Sequence, residues 1–204
     1  MVPGSSTELR AAPAGRLDRT ARRTLLQVAR SSIEHGLAHG RPLAVDPGRH
    51  PPPLAEPGAA FVTLHRGGRL RGCIGSLEAY RPLVVDVAEN AYAAAFRDPR
   101  FPPLAPEELE DLAIEISVLG PPEPLPAAAS EAEAAAMLRP GVDGVILELD
   151  GRRGTFLPAV WEQLPDPVLF LRHLKAKAGL PPDGWSPAIR LWRYTTESFG
   201  EDEA

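Results

Sequence analysis

Ala60-Phe61-Val62-Thr63-Leu64-His65-Arg66-Gly67-Gly68-Arg69-Leu70-Arg71-Gly72-Cys73-Ile74-Gly75 reads as a β-hairpin, two extended segments joined by a glycine pair. Glycine takes positive φ at both central positions, as a two-residue hairpin turn demands. With Gly67 and Gly68 as the turn, Arg66 opposes Arg69 and Val62 opposes Cys73. Opposed residues share a face, so Val62, Leu64, Arg69, Arg71 and Cys73 are expected on one side and His65 on the other. Cys73 is the only cysteine of the chain. A thiol attacks as its thiolate, and a neighbouring guanidinium favours that form, which makes Cys73 a candidate nucleophile and Arg71 its stabiliser or an anion ligand. Gly72, Ile74 and Gly75 complete a strip of exposed backbone beside it. The plainer alternative is a small buried thiol between glycines that mark a bulge.

Outward from the hairpin, Asp18 can cap a helix in which Ala21, Leu25, Val28, Ala29, Ile33 and Leu37 recur at three- and four-residue spacing, until Gly36 and Gly40 weaken and end it. The proline-rich stretch 41–58 sustains neither helix nor central strand. Pro82 suits the first position of a helix running to about Arg97, with Val84, Val87, Ala88, Ala91 and Ala95 inward. Leu112, Ile114, Ile116 and Val118 alternate with Ala113, Glu115 and Ser117 in a half-buried strand that presents a carboxylate. Ser130 and Glu133 form a capping box, and Asp150-Gly151 turns between strands 144–149 and 152–157. Asp166-Pro167 starts a helix, and 189–195 is expected as the last strand. Without a βαβ cadence, the pattern predicts an α+β fold, a mainly antiparallel sheet flanked by helices.

The 204 residues allow one core or two small lobes. Residues 1–16, rich in Ala, Pro, Gly and Ser, are expected as a tail, 17–199 as the domain and 200–204 as a second tail. A net charge of −5, with 20 of 22 basic residues arginine, argues against a broad nucleic-acid footprint. No apolar run approaches the roughly 18 residues of a membrane span. The lone cysteine and the absence of a leader pattern at Met1 make the cytoplasm the expected location. No cofactor fingerprint is present, and His35 with His39 lacks the third ligand of a metal centre. Polar residues on apolar elements supply the other candidates: Glu115 to move a proton, Asn90, Arg97, Arg100, Thr155 and Phe156 to bind a substrate or partner, and Asp98 between the two arginines at the helix end. Each also has an ordinary structural use, in solvent, caps or packing.

Arg71 to Leu77, Asn90 to Leu104, Glu115 to Leu119, Gly141 to Val145 and Gly154 to Leu164, in that order, resemble the motifs of the AMMECR domain family, whose prokaryotic members are labelled protein A of the AmmeMemoRadiSam system. The resemblance runs from about Leu17 to Phe199. It implies a larger sheet-and-helix lobe with a smaller lobe, and a cleft onto which Arg-Gly-Cys-Ile-Gly opens. It also implies association with Memo-like and radical-SAM proteins, but brings no established reaction. Two functions follow: a small-molecule enzyme using Cys73, or a non-catalytic accessory subunit whose strip docks such a partner.

Overall fold

The computed structural model describes residues 17–201, so the expected tail over 1–16 lies outside the described residues, as do 202–204. In chain order come helix α1 (Arg19–His39), strands β1 (Pro57–Gly58), β2 (Ala60–Arg66), β3 (Arg69–Gly75) and β4 (Arg81–Pro82), and helix α2 (Leu83–Phe96). Strands β5 (Leu112–Leu119) and β6 (Glu123–Pro124), helix α3 (Glu131–Ala136) and strands β7 (Gly144–Leu149) and β8 (Arg152–Phe156) follow. Helix α4 (Pro167–Lys177) and strands β9 (Arg190–Tyr194) and β10 (Thr196–Gly200) complete the set. The fold is α+β with antiparallel ladders, as the alternating patterns predict. No helix among the described residues is long and apolar enough to cross a membrane.

The described residues divide into two compact units, 17–120 with 197–201, and 121–196. In the first, a four-stranded sheet of order β10-β5-β2-β3 carries α1 and α2 on one face. Asp18 caps α1 by accepting from the Ala21 amide at 2.7 Å, and Gly40 ends the helix at φ 68°. Gly36 sits inside α1 for a packing reason: a Cβ there would lie 2.5 Å from the Phe96 ring and 2.7 Å from Tyr92, so its absence lets α1 and α2 close up. Val62, Leu64, Ile114 and Ile116 of the sheet meet Leu25, Ile33, Val84 and Val87 of the helices in one core.

The second unit has its own core under the sheet β6-β9-β7-β8, where Val145, Leu147 and Leu191 meet Leu171 and Leu174 of α4. Trp161 stacks on Phe170 at 3.8 Å between ring centroids. Asp150 (φ 50°) and Gly151 (φ 76°) form the expected turn.

Three expectations need correction. The hairpin turn pairs Arg66 with Arg69 as expected, but the register slips between Leu64 and His65, so Cys73 faces Thr63 and Val62 faces Ile74. Arg71 is the extra residue of this bulge, and one extra residue moves every side chain beyond it to the opposite face. Cys73 therefore shares a face with Thr63 and His65, not with Val62 and Leu64. Nor is the strand at 190–194 the last: β10 follows after Thr195 and joins the other sheet, without a glycine or proline to mark the passage. Gly200 ends that strand and the carboxylate of Glu201, just beyond it, binds Arg30 and the Ile114 amide, so these two residues are fastened to the first unit where a tail is expected.

Candidate functional site

The register builds a row across three strands on the face opposite the helices: Cys73 on β3, Thr63 on β2 and Glu115 on β5. All three are half-buried, and His65 lies two residues along β2 from Thr63 on the same face. The Thr63 hydroxyl donates to Cys73 Sγ at 3.4 Å. Glu115 stands two strands from Cys73, about 10 Å at the usual strand spacing, beyond the reach of direct proton transfer. Glu115 and His65 line a groove of about 700 Å³ that continues to Ser198 and Glu201, and Cys73 is not among its lining residues.

Arg71 is held away from the thiol by a separate set of bonds. Its guanidinium donates to both Glu108 oxygens, at 2.8 and 2.9 Å, and to the Pro102 carbonyl at 3.0 Å, while its carbon lies 5.8 Å from the Phe101 ring centre. This fork-to-fork pairing is the strong form of a charge-assisted bond. Hydrogen bonding to Arg71 holds the Glu108 carboxyl down at about 2, helped by the Ala105 amide. Buried, paired and fixed, Arg71 ties the bulge of β3 to the segment after α2.

The Cys73 backbone is fastened by another pair. Asp98 Oδ2 accepts from the Cys73 amide at 2.9 Å, and Arg100 donates to the Cys73 carbonyl at 3.3 Å. Arg100 in turn forks onto both Asp98 oxygens at 3.0 and 2.7 Å. Arg100 first, then the amides of Cys73 and Arg100, keep the Asp98 carboxyl well below the usual carboxylate range despite its burial.

Asn90 belongs to a third network, inside the first unit. Its amide donates to the Ala60 carbonyl, Ser76 Oγ and Asp86 Oδ2 at 3.0, 3.2 and 2.9 Å. Asp86 is fully buried and also accepts from the Ala60 amide, Ser76 Oγ and Arg81 Nε. Burial pushes its carboxyl up even against those donors. This network joins the start of α2 to β2 and to the segment after β3.

The glycines have packing causes. A Cβ on Gly72 would lie 2.2 Å from the Ala94 carbonyl oxygen of α2, and one on Gly75 would lie 2.3 Å from the Phe61 ring. Ile74 lies on the same face as Gly72, opposite Cys73 and Gly75, and packs on the core. Arg97 ends α2 and sits exposed, 4.9 Å from the Tyr92 ring centre. Thr155 and Phe156 belong to the second unit: the Thr155 hydroxyl donates to the Val145 carbonyl and lies 2.9 Å from that of Tyr194, and the Phe156 ring meets Phe170 edge-on at 5.2 Å.

The site is thus Cys73, Thr63, His65 and Glu115 on one face, with Asp98 and Arg100 at the strand edge. Thr63, Asp86 and Glu108 are missing from the sequence-derived candidates, and Asp98 is among them only as a polar residue at a helix end. Asp86 and Asn90, four apart on one helix, carried a readable spacing; Asp98 and Glu108 act through long-range contacts that no local pattern encodes.

A relative in Methanothermobacter thermautotrophicus is 43% identical over 188 residues, spanning 91% of this chain and 97% of its own length. Another, in Thermotoga maritima, is 36% identical over 169 residues, 82% of this chain and 91% of the relative. The crystal structure of the uncharacterized protein PH0010 from Pyrococcus horikoshii superposes with a TM-score of 0.78 at 37% identity, covering 88% of this chain and 90% of that one. The AMMECR1 family model matches residues 26–199. With that match across both units and relatives covered along nearly their whole length, the chain belongs to the AMMECR1 family.

Proposed function

We propose that this protein is a non-catalytic accessory subunit whose sheet face around Cys73, Thr63 and Glu115 docks a Memo-like protein in the cytoplasm. The observation that carries this reading is how the polar groups are used. Arg71 is committed to Glu108, Asn90 to Asp86, and Asp98 to Arg100 and the Cys73 amide. Among the described residues, the thiol's hydrogen-bond partner is a threonine hydroxyl, and no carboxylate or imidazole hydrogen-bonds to it. A nucleophilic cysteine needs such a base at its sulfur, and the Arg100 guanidinium, which interacts electrostatically with the Cys73 side chain, is forked onto Asp98. A half-buried sheet face on which Cys73, Thr63 and Ser117 stand beside Phe61, His65 and Glu115 suits close approach by a partner. The partner class comes from the family resemblance.

The test is a calorimetric titration of the purified protein with a Memo-like protein, run beside Cys73→Ala and Glu115→Arg. Docking predicts binding that Cys73→Ala changes less than about threefold and Glu115→Arg weakens about tenfold or more. A second reading, an enzyme with Cys73 as nucleophile acting on a small molecule, is favoured by the Thr63 hydroxyl directed at Sγ. Alkylation of Cys73 across pH separates the two: a thiolate formed well below about pH 8.5 supports the enzyme. Radical-SAM proteins are the second partner class to titrate, and their binding in place of a Memo-like protein would correct the partner while keeping the docking role.

A further inference from the structure

Strand β3 lies at the edge of the first sheet. The Cys73 amide and carbonyl both point outward from that edge, since their partners are the side chains of Asp98 and Arg100 and not β2. An edge strand with outward N–H and C=O groups is a template for another strand. Here a carboxylate occupies the place of a neighbouring strand's carbonyl, at 2.9 Å, and a guanidinium that of its N–H, at 3.3 Å. The two are joined by an ion pair of 2.7 Å, with the Asp98 side chain 2% exposed and that of Arg100 54% exposed. Asp98 also shapes the turn beside the strand, because it accepts from the Arg100 amide at 3.1 Å and its carbonyl accepts from the Phe101 amide at 3.1 Å.

We infer that Asp98 and Arg100 are an edge seal, a side-chain pair standing in for a fifth strand and preventing β3 from pairing with the β3 of a second copy. The geometry specifies that pairing. Because both backbone groups of Cys73 face outward, a two-fold axis through this residue makes Cys73 and its counterpart a hydrogen-bonded antiparallel pair, with Cα atoms about 5.5 Å apart. That separation lies within the range a disulfide spans. The lone cysteine therefore reports the pairing it would undergo.

The experiment compares the wild-type chain with Asp98→Ala/Arg100→Ala and with Arg100→Ala alone. Each is oxidised by diamide, which takes up the two protons and two electrons released as two Cys73 thiols join, and is then scored on non-reducing gels and by sedimentation. Hydrogen exchange of the β2 and β5 amides establishes that each variant keeps its sheet. The seal predicts a wild type that stays monomeric, and about tenfold more covalent dimer in the double variant, the equilibrium effect of losing one charge-assisted hydrogen bond. Arg100→Ala should fall between them and Arg100→Lys should restore much of the protection. A double variant that keeps β2 and β5 protected yet forms no more dimer than the wild type overturns the inference. If the double variant loses that protection, Arg100→Ala decides, and the absence of any increase in that folded single variant overturns it equally.

Discussion

Arg71 is the residue whose role changes most between sequence and structure. Two residues before Cys73 in the chain, it reads as the cation that ionises the thiol, yet the bulge it creates carries it to Glu108 and the Pro102 carbonyl. Removing it leaves Glu108 with only the looser Arg66 guanidinium at 3.4 Å and the Ala105 amide, so Arg71→Ala is expected to cost about 2 kcal/mol of stability, seen as an earlier urea midpoint. The pH dependence of Cys73 alkylation should stay where it is in the wild type. Glu108 gives a second expectation. Its carboxyl is held down at about 2 in the folded protein against about 4.3 unfolded. Unfolding therefore takes up a proton between those values, and the stabilisation is complete above about pH 5 and fades as the pH falls towards about 2. Asp98, also held low, acts in the same direction, whereas the raised carboxyl of Asp86 acts in the opposite one. Glu108→Gln should flatten the acid limb of a stability–pH profile measured by urea unfolding between pH 2 and 5.

At the scale of elements, the decisive contact is between β3 and α2. Gly72 brings the strand backbone against the Ala94 carbonyl, and a methyl group at 2.2 Å from that oxygen has no flexible side chain to push aside. Gly72→Ala should cost about 3 kcal/mol, the upper end of overpacking, whereas Gly36→Ala meets aromatic rings that can tilt and should cost less. Thermal unfolding of the two variants orders them. The helices and the β2, β5, β7 and β8 strands were legible because periodicity, caps and turn glycines are local signals. The bulge was legible only as an alternative, through the strand glycines, and nothing in Leu70-Arg71-Gly72 says which residue is the extra one or how the register then slips; the pull of Glu108 and the fit of Gly72 under α2 decide it. The break between β9 and β10 was hidden for a similar reason, as Tyr194-Thr195-Thr196 stays extended while the chain leaves one sheet for the other. The candidate residues were found as types, but their partners lie far along the chain: Arg71 with Glu108, and Cys73 with Asp98.

Over the whole molecule, two cores are built separately, and their reporters are separate as well. Trp161, Trp185 and Trp192 all belong to the second unit, while Cys73 belongs to the first. Gly72→Ala is thus expected to lower the urea concentration at which Cys73 becomes reactive by more than it shifts the tryptophan fluorescence transition. The family resemblance settles the fold, and the use of each polar group narrows the function: the networks of Arg71, Asn90 and Asp98 hold elements together and leave Cys73, Thr63, His65 and Glu115 as the face open to assignment. The most direct measurement is the titration of the wild-type protein and of Cys73→Ala with a Memo-like protein. Docking predicts saturable binding nearly equal for both; binding by neither a Memo-like nor a radical-SAM protein, together with a thiol already ionised at neutral pH, would contradict it and make Cys73 a nucleophile.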